Sequence, residues 1–440
     1  MKNKVTVVLL LMVIALITSA CGGANDNDAA QTDDEAVEIS WMTYPPFTPE
    51  YETMLKDQIA AFEDEHPNIK IDWITNDDAV QLTRQQLAAG AGPDVVYADG
   101  PMTLRRFASA GYLEPLTDQV DTYKWNDRFY DWALSTGYQD GELYGLPKSY
   151  ESVVVWYNKD MFAENGWDIP TNLKELQSLN QTIQDEDIIP IAFGASDYRA
   201  SNEWALTLMY NAYLGKDAMK DVISTEMKWN DDLVKEATQT WVDMWQNGDV
   251  SDKQSHAITN DDAWSLFNNG QAAMKIEGTW ASNRVMGDAQ NFDVGFFVMP
   301  ALREGIEENI PLALGGSTGI NANSEHKEEA IVFLDWLHDI EASEMEVKLG
   351  TFNPLVDLDI ANVEDVAPIT KDIFNEITSY MEKDQVGYAS WTYWPPSANY
   401  YLWDNIEAVF IGQMSVDELL DQVQKEAEKD KEEGLLFEFE

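Results

Sequence analysis

Few residues of this 440-residue chain have types and spacings that suggest chemistry. Gly315-Gly316-Ser317-Thr318-Gly319 has the G-x-S-x-G form of a nucleophile elbow, which exposes a serine on a tight turn between a strand and a helix. Here Ile320-Asn321-Ala322-Asn323 separates the serine from the next helical pattern, so acyl transfer is not expected. No two of His66, His256, His326 and His338 are spaced to share a helix face as metal ligands. Gly90-Ala91-Gly92-Pro93-Asp94 lacks the third glycine of a dinucleotide loop and the lysine of a phosphate loop. Paired carboxylates can hydrolyse glycosides, and among 79 acidic residues some pair will look suitable by chance, so a cell-surface glycoside hydrolase stays open. No catalytic residue, metal ligand or cofactor is expected.

Aromatic side chains point to another chemistry. Tyr44 precedes Pro45-Pro46, Trp204 follows Asn202-Glu203, Trp280 follows Gly278-Thr279, and Ser390 to Trp403 reads SWTYWPPSANYYLW. A flat ring offers an apolar platform to the C–H face of a sugar while nearby carboxylates and amides bind its hydroxyls. Core packing is the competing role for any one ring. Pro395 and Pro396 are expected to hold the last cluster on a loop.

The sole cysteine, Cys21, follows Lys2, Lys4, the apolar run from Val5 to Ile17, and Thr18-Ser19-Ala20. That is the layout of an export signal, with an apolar run shorter than the roughly 18 residues of a membrane-spanning helix. A single cysteine forms no disulfide within its own chain, so it is free, paired with another molecule, or covalently lipidated. Gly22 to Glu35 carries no large apolar side chain and suits a disordered tether.

Composition bounds the rest. With 45% hydrophobic residues, including 16 Trp, 18 Tyr and 16 Phe, the chain can build the core of a large two-lobed unit or of two or three domains. Lys and Arg total 28 against 79 Asp and Glu, giving a net charge of −51 that repels nucleic acid and anionic lipid. Such an excess suits a surface that works in high salt, where screening relieves self-repulsion.

The elements that must position these residues read as an α/β chain. VEISWMTY from Val37, NIKIDWI from Asn68 and DVVYAD from Asp94 pattern as strands, with helices predicted over Pro49 to Glu65 and Asp78 to Ala89 between them. Alternation of this kind predicts a parallel sheet whose carboxyl ends face a ligand crevice, placing Tyr44 and Asp99 there. Leu146 to Ser149 reads as a crossing into a second lobe. That lobe is expected to contain IIPIAFG from Ile188, a helix around Ala205 to Tyr213 and another over Asp231 to Gly248. From Ile310 a strand, a glycine loop and a long helix bearing Ile331, Leu334 and Leu337 on one face are predicted. The segment from Ser415 predicts an amphipathic helix with a solvated charged face.

Ile17 to Gly22 resembles a bacterial lipoprotein signal, in which the cysteine is diacylated and becomes the new N-terminus. AAGAGPDVVYAD, YGLPKSYESVVVWYNKDMF, LFNNGQAAMKIEGTWAS, GGSTGINANSEHKEEAIVFLDWL and GQMSVDELLDQVQ, in that order, resemble the extracellular solute-binding proteins of the maltose-binding, family 1 type that serve ABC importers. The resemblance implies two α/β lobes joined by three chain crossings with sugar bound between them. It implies a signal peptide over 1–20, a tether over 21–36, an N-lobe of 37–147 and 311–365, and a C-lobe of 148–310 and 366–440. It further implies a monomer anchored through Cys21 to the extracellular face of the bacterial cytoplasmic membrane, handing a carbohydrate to permease subunits without chemical change. By position in its motifs, Glu151 corresponds to a cleft carboxylate, Trp280 to a stacking ring and Trp204 to a second aromatic. Asn399 stands where maltodextrin binders have Trp, with Trp394 or Tyr400 expected to compensate. Gly316 completes the expected ligand-binding set of Tyr44, Asp99, Glu151, Trp204, Trp280, Trp394 and Tyr400. A glycerol-phosphate ester in the same fold would want arginine, of which there are seven, whereas a polyamine would suit Asp99 and Glu151.

Overall fold

The computed structural model describes residues 36–46, 48–198, 201–286 and 291–439, all within the unit Ala36–Glu440; Cys21, the expected signal and all of the expected tether but Ala36 lie outside the described residues. Alternation puts Ile39 and Trp41 of the strand Val37–Thr43 into the core. This strand pairs in parallel with Ile69–Thr75 on one side and Val95–Ala98 on the other. The helix Pro49–Glu65 connects the first pair. It starts where Thr48 accepts a hydrogen bond from Tyr51 N–H, carries Pro in its first turn, and buries Met54, Leu55 and Phe62. Ser317–Ile320 and Gly145–Pro147 complete this five-stranded sheet, each antiparallel to its neighbour.

A second sheet is built around Tyr150–Asn158, whose run of Val153, Val154, Val155 and Trp156 is buried on both faces. Ala272–Gly278 lies antiparallel along one side of it, and Ile189–Ala192 lies parallel to that strand. Along the other side run Ile310–Leu314, itself parallel to Val386–Tyr388, and Val294–Phe297. Helices Ser201–Leu214, Asp232–Asn247, Pro396–Phe410 and Val416–Glu432 contribute to the core of this second lobe, where Trp229, Trp241 and Trp394 are fully buried.

The lobes are joined where strands of one sheet continue into the other. The chain crosses at Lys148-Ser149, and returns at Gly315-Gly316. The two crossings are zipped together: Lys148 N–H donates to the Gly316 carbonyl and Gly315 N–H to the Ser149 carbonyl, both at 2.8 Å. A third passage lies between the helix Ile340–Val347 and the strand Val386–Tyr388. The return expected at 311 is therefore displaced, because the apolar run Ile310–Leu314 is buried as a strand of the second sheet. The expected glycine loop is also reduced to Gly315-Gly316, since Ser317–Ile320 is a fully buried strand. Ser317 pairs with Ala98 and Pro147 and is 1% exposed, which leaves no nucleophile elbow. The expected long helix is two, Lys327–Trp336 and Ile340–Val347, because Asp339 leaves the helical path and caps the second by accepting from Ala342 N–H.

Candidate functional site

Tyr44 and Asp99 follow adjacent parallel strands and meet at their carboxyl ends, the Tyr44 hydroxyl donating to Asp99 Oδ2 at 2.9 Å. The Tyr97 ring stands edge-on to Tyr44, with centroids 6.1 Å apart. Asp99 keeps some accessible surface yet is enclosed by protein on most sides. Burial pushes its carboxyl up to about 6, against the opposing hydrogen bond from Tyr44. Burial, reinforced by the negative charge of Asp99, holds the phenols of Tyr44 and Tyr97 well above the ordinary range.

The second lobe supplies two more carboxyl groups. Glu151 is the second residue of the central strand Tyr150–Asn158, and its carboxylate packs against Gly315, where an added Cβ would meet it at 2.4 Å. Gly316 would meet the Tyr97 ring at 2.8 Å. Neither glycine adopts a left-handed φ; both serve close approach, letting Glu151 and Tyr97 lie directly on the crossing. Burial pushes the Glu151 carboxyl up to about 8, with Asp99 adding to the shift. The Trp391 indole N–H opposes it from nearby without making a hydrogen bond of ordinary geometry. Glu203, in the first turn of Ser201–Leu214, accepts from Ser390 Oγ at 2.8 Å and from Asn399 Nδ2. Its carboxyl is pushed up to about 7 by burial, against those two bonds, with Asp99 again contributing.

Beside these carboxyls runs a chain of rings. Tyr198 and Trp204 lie 6.1 Å apart, Trp204 and Trp280 5.2 Å, and Trp280 and Trp391 5.8 Å between centroids. Tyr198 is 44% exposed, yet its phenol is held up by burial and by Asp99 and Glu203. A side chain at once open to solvent and surrounded by protein lies in a cleft. One wall is Tyr44, Tyr97 and Asp99 of the first lobe; the other is Glu151, Tyr198, Glu203, Trp204, Trp280 and Trp391 of the second. Three carboxyls able to donate or accept hydrogen bonds beside apolar ring faces can hold a polar, hydroxyl-rich molecule from both sides.

Five residues singled out from the sequence, Tyr44, Asp99, Glu151, Trp204 and Trp280, come together here. Trp394 does not. It is fully buried, stacks on Tyr210 at 5.4 Å, meets Trp229 edge-on at 5.3 Å and donates to the Tyr388 carbonyl. The two prolines do not hold it on a loop. Pro396 opens a helix, Ser390–Tyr393 forms a helical turn before it, and that turn sends Trp394 into the core. Tyr400 is 55% exposed on the helix Pro396–Phe410, where its ring meets Trp403 edge-on. Gly316 lies buried behind Tyr97, its carbonyl taken by Lys148 N–H. Sequence reasoning passed over Tyr97, Tyr198, Glu203 and the contact of Asn399, and within the run Ser390 to Trp403 it chose Trp394 and Tyr400 rather than Trp391; adjacency to Trp204 was the available signal for Glu203. Among the described residues no group of three His, Cys, Asp or Glu is placed to hold a metal ion. A cavity of about 600 Å³ bounded by Lys159, Asp160, Phe292 and Asp372 shares no residue with the cleft.

Residues 44–344 match the bacterial extracellular solute-binding protein family. The chain is 26% identical over 349 residues to the galactooligosaccharide-binding protein of Bacillus subtilis strain 168, a match covering 76% of this chain and 77% of that protein. It is 22% identical over 356 residues to the multiple sugar-binding protein of Streptococcus mutans, covering 77% and 82% respectively. Among solved structures, a chitin oligosaccharide binding protein superposes with a TM-score of 0.80 at 20% identity, over 90% of this chain and 100% of the other. The maltose-bound T. maritima MalE3 superposes with a TM-score of 0.74 at 20% identity, over 90% and 100%.

Proposed function

Because the chain belongs to the bacterial extracellular solute-binding protein family, we propose that it captures a carbohydrate, an oligosaccharide, in this cleft and delivers it unchanged to the permease of an ABC importer. The observation that carries this reading is the ring chain Tyr198, Trp204, Trp280 and Trp391 lying beside Asp99, Glu151 and Glu203. Rings bind the apolar faces of a sugar and carboxyls bind its hydroxyls, and several rings in a row suit more than one sugar unit. The names of the related galactooligosaccharide-, multiple sugar- and chitin oligosaccharide-binding proteins support the same ligand class. The mechanism is hinge closure. Each lobe contributes contacts, so a ligand touching both favours the state in which the walls are near each other. In this reading Cys21 carries the lipid that holds the protein as a monomer at the outer face of the cytoplasmic membrane.

A thermal-shift screen over mono- and oligosaccharides tests the proposal, since a ligand bound only by the folded state adds RT ln(1 + [L]/Kd) of stability. A saturable shift with one oligosaccharide series, recovered intact after incubation, is the expected result. Cleavage of the sugar would make the protein a glycoside hydrolase. The three converging carboxyls favour one second reading, a polyamine, and a shift with spermidine but with no sugar would select it.

A further inference from the structure

The strand Ala272–Gly278 is buried along its whole length, yet it carries Lys275 and Glu277. Alternate residues of a strand share a face, and here Lys275 Nζ lies 2.8 Å from Glu277 Oε2. Burying two charges costs several kcal/mol per ion, and apolar residues of similar volume often stabilise as well or better. Stability alone is thus a poor reason for the pair. It is not isolated, however. Lys275 Nζ also donates to Asn260 Oδ1 at 2.8 Å, and Asn260 Nδ2 donates to Glu277 Oε1 at 3.2 Å, closing a ring of three side chains. The ammonium lies 5.0 Å from the centroid of Trp264.

This ring of side chains reaches the cleft through Glu277. Glu277 Oε1 accepts a long hydrogen bond, 3.4 Å, from the indole N–H of Trp280. The same indole covers Gly278 so closely that a Cβ there would lie 2.1 Å from it. Trp280 is therefore held from beneath by a bare backbone and at its polar edge by a carboxylate whose own position is fixed twice over.

We propose that Asn260, Lys275 and Glu277 are positioning residues that lock the orientation of the Trp280 ring in the cleft. The proposal rests on the reading of Trp280 as a ligand platform. A ring already fixed in its binding orientation loses less freedom when a ligand arrives, which is how preorganisation raises affinity. The buried pair then serves geometry.

The test needs no ligand. The full chain is labelled with 5-fluorotryptophan, and the Trp280 line of the ¹⁹F spectrum is assigned by its loss in Trp280→Phe. Two double variants avoid leaving a lone buried charge: Lys275→Met with Glu277→Leu removes the acceptor, and Lys275→Met with Glu277→Gln keeps an amide oxygen for the indole N–H. The expected result is that the Trp280 line shifts and broadens in the first double variant and returns toward its wild-type position in the second, while both melt cooperatively. A Trp280 line unmoved in the first, or equally displaced in both, overturns the proposal. Calorimetry with the carbohydrate identified by the screen keeps the two readings apart. A displaced line with unaltered affinity in Trp280→Ala supports positioning and removes the ring from the ligand platform.

Discussion

Replacing Glu151 by Gln should flatten the dependence of stability on pH between about pH 5 and 8. In the folded protein burial pushes the Glu151 carboxyl from its ordinary 4.5 up to about 8, while in the unfolded chain it returns to the ordinary value. Below 4.5 the group is protonated in both states and contributes no difference. Between the two values the folded protein holds a proton that the unfolded chain has lost, so stability falls as pH rises, and the fall levels off once the folded group ionises. At about 1.36 kcal/mol per pH unit the full displacement corresponds to about 5 kcal/mol. Water reaching the cleft screens part of this, and the titration is coupled to that of Asp99, so a loss on the order of 2 to 5 kcal/mol is expected. Asp99 and Glu203, pushed to about 6 and about 7, titrate in both proteins and slope both curves in the same sense. The measurement is therefore the difference between urea-derived stabilities of wild type and Glu151→Gln at intervals from pH 4 to 9. The variant should gain on the wild type as pH rises and then keep a constant lead. Parallel curves would refute the reasoning, because they would mean that Glu151 ionises as it does in water and that the cleft floor is not shielded as the packing of Gly315 and Trp391 requires.

Trp280→Ala should weaken binding of the screened oligosaccharide tenfold or more, about 1.4 kcal/mol in calorimetric titration, with little change in melting temperature. Trp394→Ala should do the reverse, costing about 3 to 5 kcal/mol in chemical denaturation while the residual folded protein keeps its affinity; equal effects of the two would mean that core and cleft are wrongly divided. For a sugar, Glu151→Gln should retain most of the affinity near neutral pH, because an amide donates and accepts as a protonated carboxyl does, whereas a polyamine should lose nearly as much as with Glu151→Ala. Cys21→Ala should release the protein from membranes in cell fractionation without altering its melt, and equal retention of both forms would exclude lipid anchoring. Melting temperature should climb as NaCl rises toward molar concentration, since shorter screening lengths relieve repulsion among 79 acidic side chains; a flat or falling curve would remove high salt as the reason for that composition.

The first lobe was largely legible from local pattern. The helix Pro49–Glu65 has the predicted bounds, and the strands Val37–Thr43, Ile69–Thr75 and Val95–Ala98 lie within a residue or two of theirs. Alternation and helical spacing report which face of an element is buried, and parallel strands then place Tyr44 and Asp99 at one edge without further information. Legibility ended where a side chain's fate depends on packing between distant segments. Gly315-Gly316 is a loop by composition, but only the sheets on either side make it a crossing between a strand of one lobe and a strand of the other.

Sequence alone therefore determined the class of fold, the order of elements in the first three strands and the helices between them, and the presence of ring-bearing segments beside acidic residues, because these follow from short-range periodicity and from motif order. Tertiary structure decided which of those residues share a cleft. Trp391 and Trp394 stand three positions apart in one aromatic run, yet a single helical turn aims the first at Glu151 and Trp280 and sends the second into the core against Tyr210. Asp99, Glu151 and Glu203 are ordinary acids in the sequence. Their carboxyls are driven up together because three elements far apart along the chain bring them into one poorly solvated space; desolvation, and the charge of Asp99 acting on the two glutamates, exist only once that space has formed.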